Sequence, residues 1–186
     1  FRFMCLGEVV HHLEIQLGYQ HRDVEALLLA KGPLNLAPLV ESIAGDSCVA
    51  YGWAYCAALE ALAEVATPLP VDAVRGVALE LERIAMHLAG LAGLLADIAF
   101  LQGASTYGRL RTAIINASMR ICGSRFGRGW LRPGGVAFGV SREVRNDLRV
   151  VLDGFLRDFG QVNGLVLSAR TVRDRFRGVG HVSRVA

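Results

Sequence analysis

Lysine is almost missing from this chain of 186 residues: of its 20 basic side chains, all but Lys31 are arginine. Arginine's planar, permanently charged fork suits buried and interfacial pairing better than a hydrated ammonium. Proline is scarce, with five residues, so long helices are seldom interrupted. The four cysteines, Cys5, Cys48, Cys56 and Cys122, include no C-x-x-C pair, which excludes the usual zinc and dithiol motifs. They read as buried structural thiols of a reduced, cytosolic compartment. Cys48 and Cys56 on one helix would stand two turns apart, too far for a disulfide. Neither G-x-G-x-x-G after a strand nor G-x-x-x-x-G-K-[ST] occurs, which excludes those modes of nucleotide binding. There is no signal peptide and no initiator methionine. The chain opens in mid-element at Phe1-Arg2-Phe3 and stops after Arg184-Val185-Ala186, so residues 1–186 read as a single domain excised from a longer protein.

Apolar residues make up 53% of the chain and mean hydropathy is +0.38, high for a protein that meets water on every side. Either a large partner covers part of the surface or part of the chain enters a membrane. Charge is split unevenly. Residues 1–108 hold five basic and twelve acidic side chains, whereas residues 109–186 hold fifteen basic and five acidic ones. Two readings stay open: the halves pair with each other, or the basic half meets an acidic partner surface. Nucleic acid is the weaker partner, because no recognition motif accompanies the charge.

The apolar periodicity predicts a mainly α fold: a helical bundle core with a small N-terminal β-hairpin or short strands over residues 2–17. Helices are expected at about 22–31 and 34–43, and then from an N-cap at Asp46 or Ser47 to about residue 66. Thr67-Pro68-Leu69-Pro70 is the clearest break. Further helices are expected at about 71–102, at 104–123, from a Ser141 cap to about 158 or beyond, and at 161–176. Residues 127–139, with five glycines and a proline, read as loop or short strand.

Residues 84–101 are apolar enough in length to span a bilayer, but they contain His87 and Asp97. Glu80, Arg83, His87 and Asp97 fall within about 100° on a helical wheel. Such a stripe suits the centre of a protein bundle, as a structural ion-pair network or as a proton relay, with His87 titrating nearest neutrality. Arg109, Thr112, Asn116 and Arg120 form a second stripe that either faces the first or is solvated. His11 and His12 point to opposite faces of a strand, which argues against a shared metal. Arg125, Arg128 and Arg132 lie in an Arg/Gly loop whose backbone N–H groups could cradle an anion.

In order along the chain, five segments resemble the large subunit of energy-converting (membrane-bound, group 4) nickel–iron hydrogenases and its relative, the 49-kDa-type subunit of respiratory complex I (NADH–quinone oxidoreductase). They are Gly18-Tyr19-Gln20-His21-Arg22, the stretch from Ser42 to Tyr51, Glu80-Leu81-Glu82-Arg83 with His87, Gly123-Ser124-Arg125-Phe126, and Pro133-Gly134-Gly135-Val136. Thr171-Val172-Arg173-Asp174-Arg175 before Gly178 matches a further family segment. In the hydrogenases the stretch at 42–51 looks like R-I-C-G-x-C-x-x-x-H, with both cysteines on nickel. Here those positions are Ala44 and Ser47, and the histidine position is Tyr51. Neither alanine nor a neutral serine replaces a thiolate on a soft metal. The complex I branch has Asp-Tyr at Ala44-Gly45, its tyrosine being the quinone contact, so the chain departs from both branches. It resembles the hydrogenase side more, through Gly45-Asp46-Ser47 and Gly123–Phe126, as a member lacking the nickel site. The family's N-terminal histidine loop would precede Phe1, and its C-terminal cysteine pair would follow Ala186.

The resemblance implies a subunit of a membrane-associated redox complex. It would take electrons from an iron–sulfur small subunit towards a quinone or another acceptor and bind no cofactor within this stretch. His21 and Arg22 would lie near the partner's cluster, where Arg22 would raise the cluster's potential; on residues alone, Arg22 reads as paired to Asp23 or Glu25. Where the family usually has glycine, this chain has Asp23. NADH chemistry would belong to another subunit. The chain would sit peripherally on the cytoplasmic side of the membrane, be inactive alone, and bind no nucleic acid. The alternatives are a non-catalytic scaffold of such a complex and an integral membrane helical protein. A quinone-sized cavity beside residues 44–51 would favour the redox reading; a filled apolar site would favour the scaffold.

Overall fold

A computed structural model of the chain describes residues 1–181; Arg184-Val185-Ala186, where the chain stops, lies outside the described residues. The fold is mainly helical with a small N-terminal hairpin. Strands β1 (Arg2–Leu6) and β2 (Val9–Glu14) pair antiparallel from Arg2 opposite Glu14 to Leu6 opposite Val9. The hairpin buries none of its residues. Helix α1 (Val24–Ala30), a 3-10 turn (Pro33–Asn35) and helix α2 (Ala37–Val40) follow, and Val40 is the first buried residue of the chain.

The core is built by α3 (Cys48–Leu62), α4 (Leu69–Asp97), α5 (Leu101–Cys122) and α6 (Arg142–Ser168), with α7 (Arg170–Phe176) at the end. Helix α4 is central. It turns Ala78, Leu81, Ala85, Leu88 and Leu95 inwards at three- and four-residue spacing, into one cluster with Tyr107, Leu110 and Ile114 of α5. Helix α6 adds Phe155, Val162 and Val166. Between α5 and α6, β3 (Leu131–Arg132) and β4 (Gly135–Val136) form a minimal hairpin. The wholly buried Trp130 anchors it, donating its indole N–H to the Phe138 carbonyl at 2.8 Å.

Several helix ends differ from expectation. Helix α3 stops at Leu62 rather than near 66, and the helix expected over 71–102 breaks after Asp97. Both ends are closed by the same paired backbone bonds. Glu64, at φ +54, donates to the Ala61 carbonyl while Val65 donates to Glu60; Ala99, at φ +59, donates to Ala96 while Phe100 donates to Leu95. Helix α6 runs through Gly160 to Ser168, so no separate helix begins at 161. Ser141 caps α6 as expected, its hydroxyl accepting from the Val144 N–H. The membrane span weighed from the sequence does not form. Residues 84–101 are divided between two helices, Leu88 and Leu95 are buried in protein, and no helix of the described residues is long and apolar enough to cross a membrane.

Candidate functional site

The stretch 42–51 joins α2 to α3, and Arg22 reaches it. One guanidinium nitrogen donates to the Ser42 carbonyl and the other to the Ile43 carbonyl, both at 2.7 Å. Two motifs twenty residues apart therefore meet, and Arg22 turns to these carbonyls rather than to Asp23 or Glu25. Asp23 instead approaches His21, at 3.7 Å. Asp23 has φ +53, the left-handed region that glycine enters freely and aspartate tolerates. That geometry accounts for the glycine usual at this position in the resembled family.

The first turn of α3 is held from another helix. The Val49 and Ala50 N–H groups donate to the two oxygens of Glu82, at 2.8 and 2.9 Å. Glu82 thus does what Asp46 or Ser47 was expected to do, since the Ser47 N-cap makes no side-chain cap bond. Burial pushes the Glu82 carboxyl above its ordinary pKa, and the bonds from Val49 and Ala50 pull the other way. The loop after α5 closes over this point. A Cβ on Gly127, at φ +70, would lie 2.5 Å from Val49 Cγ2. The cavity left between Val49, Glu82, Met86, Phe126 and Trp130 is only about 10 Å³, scarcely room for one water.

Ala44 and Ser47 are half-buried and Tyr51 is exposed. The buried Cys48 thiol points back to the Gly45 carbonyl at 3.4 Å. This donor set does not fit nickel: Ala44 has no ligand atom and Ser47 offers a neutral hydroxyl. Among the described residues no group of three or more His, Cys, Asp or Glu is placed to hold a metal.

The strongest polar cluster centres on Arg75 and Glu60, neither of which belongs to a motif of the sequence. Arg75 of α4 is wholly buried and binds Glu60 of α3 through two nitrogens, at 3.0 and 2.6 Å. It also donates to the Arg132 and Gly135 carbonyls, at 2.8 and 3.1 Å, while the Gly134 N–H donates to Glu60 at 2.7 Å. Hydrogen bonding from Arg75 holds the Glu60 carboxyl below its ordinary range, and the same bond raises Arg75. Burial raises the neighbouring Cys56 thiol. The Gly129 N–H donates to the buried Glu41 at 2.7 Å. The Arg/Gly loop therefore does cradle anions, but they are the protein's own Glu41 and Glu60. Its side chains Arg125, Arg128 and Arg132 are exposed, with Arg125 over the Phe126 ring. The one signal for the cluster was that residues 75, 78, 81, 85 and 88 share a helical face, which puts Arg75 on the apolar stripe.

The stripe Glu80–Arg83–His87–Asp97 is not inside the bundle. All four are exposed, and only Glu80 and Arg83 pair, at 3.4 Å. The apolar residues of α4 claim the inner face, which leaves this one outward. Arg109, Thr112, Asn116 and Arg120 are exposed too, and Arg109 pairs with Asp158 of α6 at 2.8 Å rather than with α4. His11 and His12 are adjacent on the exposed β2. The cysteines are all free; three are buried as expected, but Cys5 is exposed.

Comparison with known proteins adds an independent finding. Residues 97–186 match the family model "Respiratory-chain NADH dehydrogenase, 49 Kd subunit". A subunit of the NADH-quinone oxidoreductase of Dehalococcoides mccartyi is 32% identical over 187 residues, covering 98% of this chain and 50% of the relative. The like-named proteins of Ehrlichia ruminantium and Xanthobacter autotrophicus are each 28% identical, covering 96% and 95% of this chain and 45% and 44% of the relatives. The chain thus spans about half the length of the curated relatives it matches.

Proposed function

Because the chain belongs to the 49-kDa-type subunit family of respiratory NADH dehydrogenases, we propose that it is part of a subunit that receives electrons from an iron–sulfur small subunit in a membrane-associated complex. The acceptor is a quinone or another oxidant, and the nickel site of the hydrogenase-like branch is lost. One observation carries this reading. The stretch 42–51 is still held in place by two charges from elsewhere, Arg22 on its carbonyls and Glu82 on its N–H groups, while Ala44 and Ser47 supply no thiolate. The framework of a metal segment is kept without its ligands. Leu17 and Tyr19, each 82% exposed beside His21 and Arg22, offer apolar surface to the iron–sulfur partner. The subunit sits peripherally on the cytoplasmic side of the membrane. Metal analysis of the full-length protein purified with its partners should find iron without nickel, and stoichiometric nickel would overturn the reading.

The small cavity beside Val49 favours a second reading, a non-catalytic scaffold that couples a cluster-bearing partner to membrane proteins. A photoreactive quinone applied to the intact complex separates the two. Labelling at residues 44–51 supports electron delivery to quinone; labelling confined to other subunits supports the scaffold.

A further inference from the structure

Among the described residues no ion pair joins residues 1–108 to residues 109–181, so the acidic half does not neutralise the basic one. The basic excess is also uneven. Helix α6 balances its four arginines with Glu143, Asp147, Asp153 and Asp158. Between Phe159 and His181, in contrast, Arg170, Arg173, Arg175 and Arg177 stand against a single carboxylate, Asp174. All four arginines are exposed. Asp174 is shared by Arg170 at 3.5 Å and Arg177 at 2.8 Å, and Arg173 and Arg175 make no ion pair among the described residues. Arg170, Arg173 and Arg177, at i, i+3 and i+7, line one open concavity of about 890 Å³ with Leu167, Val172 and Phe176, and Asp174 is its one carboxylate. Leu167, and Val179 in the turn after α7, are each 71% exposed.

We propose that α7 and its flanks meet an anionic phospholipid surface, with lipid phosphates on Arg170, Arg173 and Arg177 and with Leu167 and Val179 entering the head-group boundary. Guanidinium forks match phosphate oxygens bidentately. A cluster of arginines is drawn to the negative potential of an anionic leaflet, and aliphatic side chains beside it add burial at the boundary. A single small anion would leave part of three guanidiniums spread over two turns unpaired and the aliphatic side chains wet. A lipid surface supplies many phosphates and an apolar boundary together. The proposal rests on the reading that the subunit sits peripherally on a membrane, and it adds which surface makes that contact.

Co-sedimentation of the full-length protein with vesicles tests it. Vesicles of phosphatidylcholine containing phosphatidylglycerol should bind the protein, and vesicles of phosphatidylcholine alone should not. A variant carrying R170Q, R173Q and R177Q should bind the anionic vesicles about a hundredfold more weakly while keeping its helical circular dichroism and melting temperature. A variant carrying R142Q, R145Q and R149Q, which loses the same charge from α6, should bind them as the wild type does. Equal binding to both vesicle types overturns the proposal, because exposed apolar surface alone would then be responsible. Equal weakening by the two variants overturns it too, since net charge rather than α7 would set the affinity. Release of bound protein by inorganic phosphate at constant ionic strength would mean that a free phosphate occupies the site, and overturns it as well. In the purified complex, held in nanodiscs with or without phosphatidylglycerol, phenylglyoxal should label Arg173 several-fold less only where the anionic lipid is present. Protection in both kinds of disc would assign the surface to another subunit instead. Stoichiometric nickel in the complex would sink the functional reading, whereas the vesicle binding decides the α7 surface separately.

Discussion

Single side chains carry the tightest constraints in this molecule. Arg75 is the clearest case, because its guanidinium ties α3, α4 and the β3–β4 hairpin through Glu60 and two carbonyls. Arg75→Met leaves Glu60 as an uncompensated buried charge, so a loss of about 3–5 kcal/mol is expected, read by urea unfolding. A loss below about 1 kcal/mol would mean that water reaches Glu60 and replaces the pair. Two carboxylates also give opposite pH signatures. The folded pKa of Glu60 lies below 4.5, so its contribution is present above 4.5 and is lost as pH falls through the lower folded value. The folded pKa of Glu82 lies above 4.5, so the folded state binds that proton more tightly and gains stability as pH falls towards it. Glu82→Gln removes the offsetting gain and should make acid destabilisation steeper than in the wild type; Glu60→Gln should make it shallower. Unfolding midpoints measured from about pH 7 to about pH 4 would show both slopes, and parallel curves for all three proteins would refute the assignment.

Secondary-structure elements show where sequence reasoning reached and where it stopped. The order of helices, the N-terminal hairpin, the break before α4 and the Ser141 cap were legible, because apolar spacing, proline and an N-cap serine each act locally, although Leu69 and Pro70, expected in the break, already belong to the first turn of α4. The ends of α3 and α4 were not, because Glu64 and Ala99 occupy left-handed positions where glycine would have announced a stop. The site was legible as a set of segments, but its contacts were not. That Arg22 meets Ser42, and Glu82 meets Val49, depends on tertiary packing that no short window records. The outward turn of the Glu80–Asp97 stripe was lost in the same way, since a polar stripe fits a solvated face as well as a buried network. The α4–α5 corner makes this testable. Ala99→Gly relieves the left-handed strain and should raise stability by about 0.5–1 kcal/mol. Gly103→Ala should lower it by about 1–3 kcal/mol, because the added Cβ would lie 2.5 Å from Leu95 Cδ1 and 2.8 Å from the Phe100 ring. Thermal melts of the two variants should shift in opposite directions; a shared direction would remove the corner from the account of why α4 ends there.

At the scale of the whole stretch, a large apolar surface is left uncovered. Its accessible surface is 12898 Å², whereas a compact monomer of 20.1 kDa should expose about 8,700 Å². Much of the excess lies at the N-terminus, where no residue before Val40 is buried and Phe3, Leu6, Leu17 and Tyr19 are each more than 60% exposed. Apolar area of that extent in water favours association. Residues 1–186 prepared alone should therefore bind a hydrophobic dye such as ANS at neutral pH and elute as an associated species. The binding should come from the hairpin and the segment after it rather than from a loosened core, because the buried cluster of α4, α5 and α6 contains none of those residues. Replacing Phe3, Leu6, Leu17 and Tyr19 together by serine or threonine should then cut dye fluorescence while helical circular dichroism and its melting temperature stay put. If the helical signal collapsed with the dye signal, the N-terminal segment would be part of the core after all. If the unaltered chain proved monomeric and silent to the dye, the excess area would need no partner to cover it.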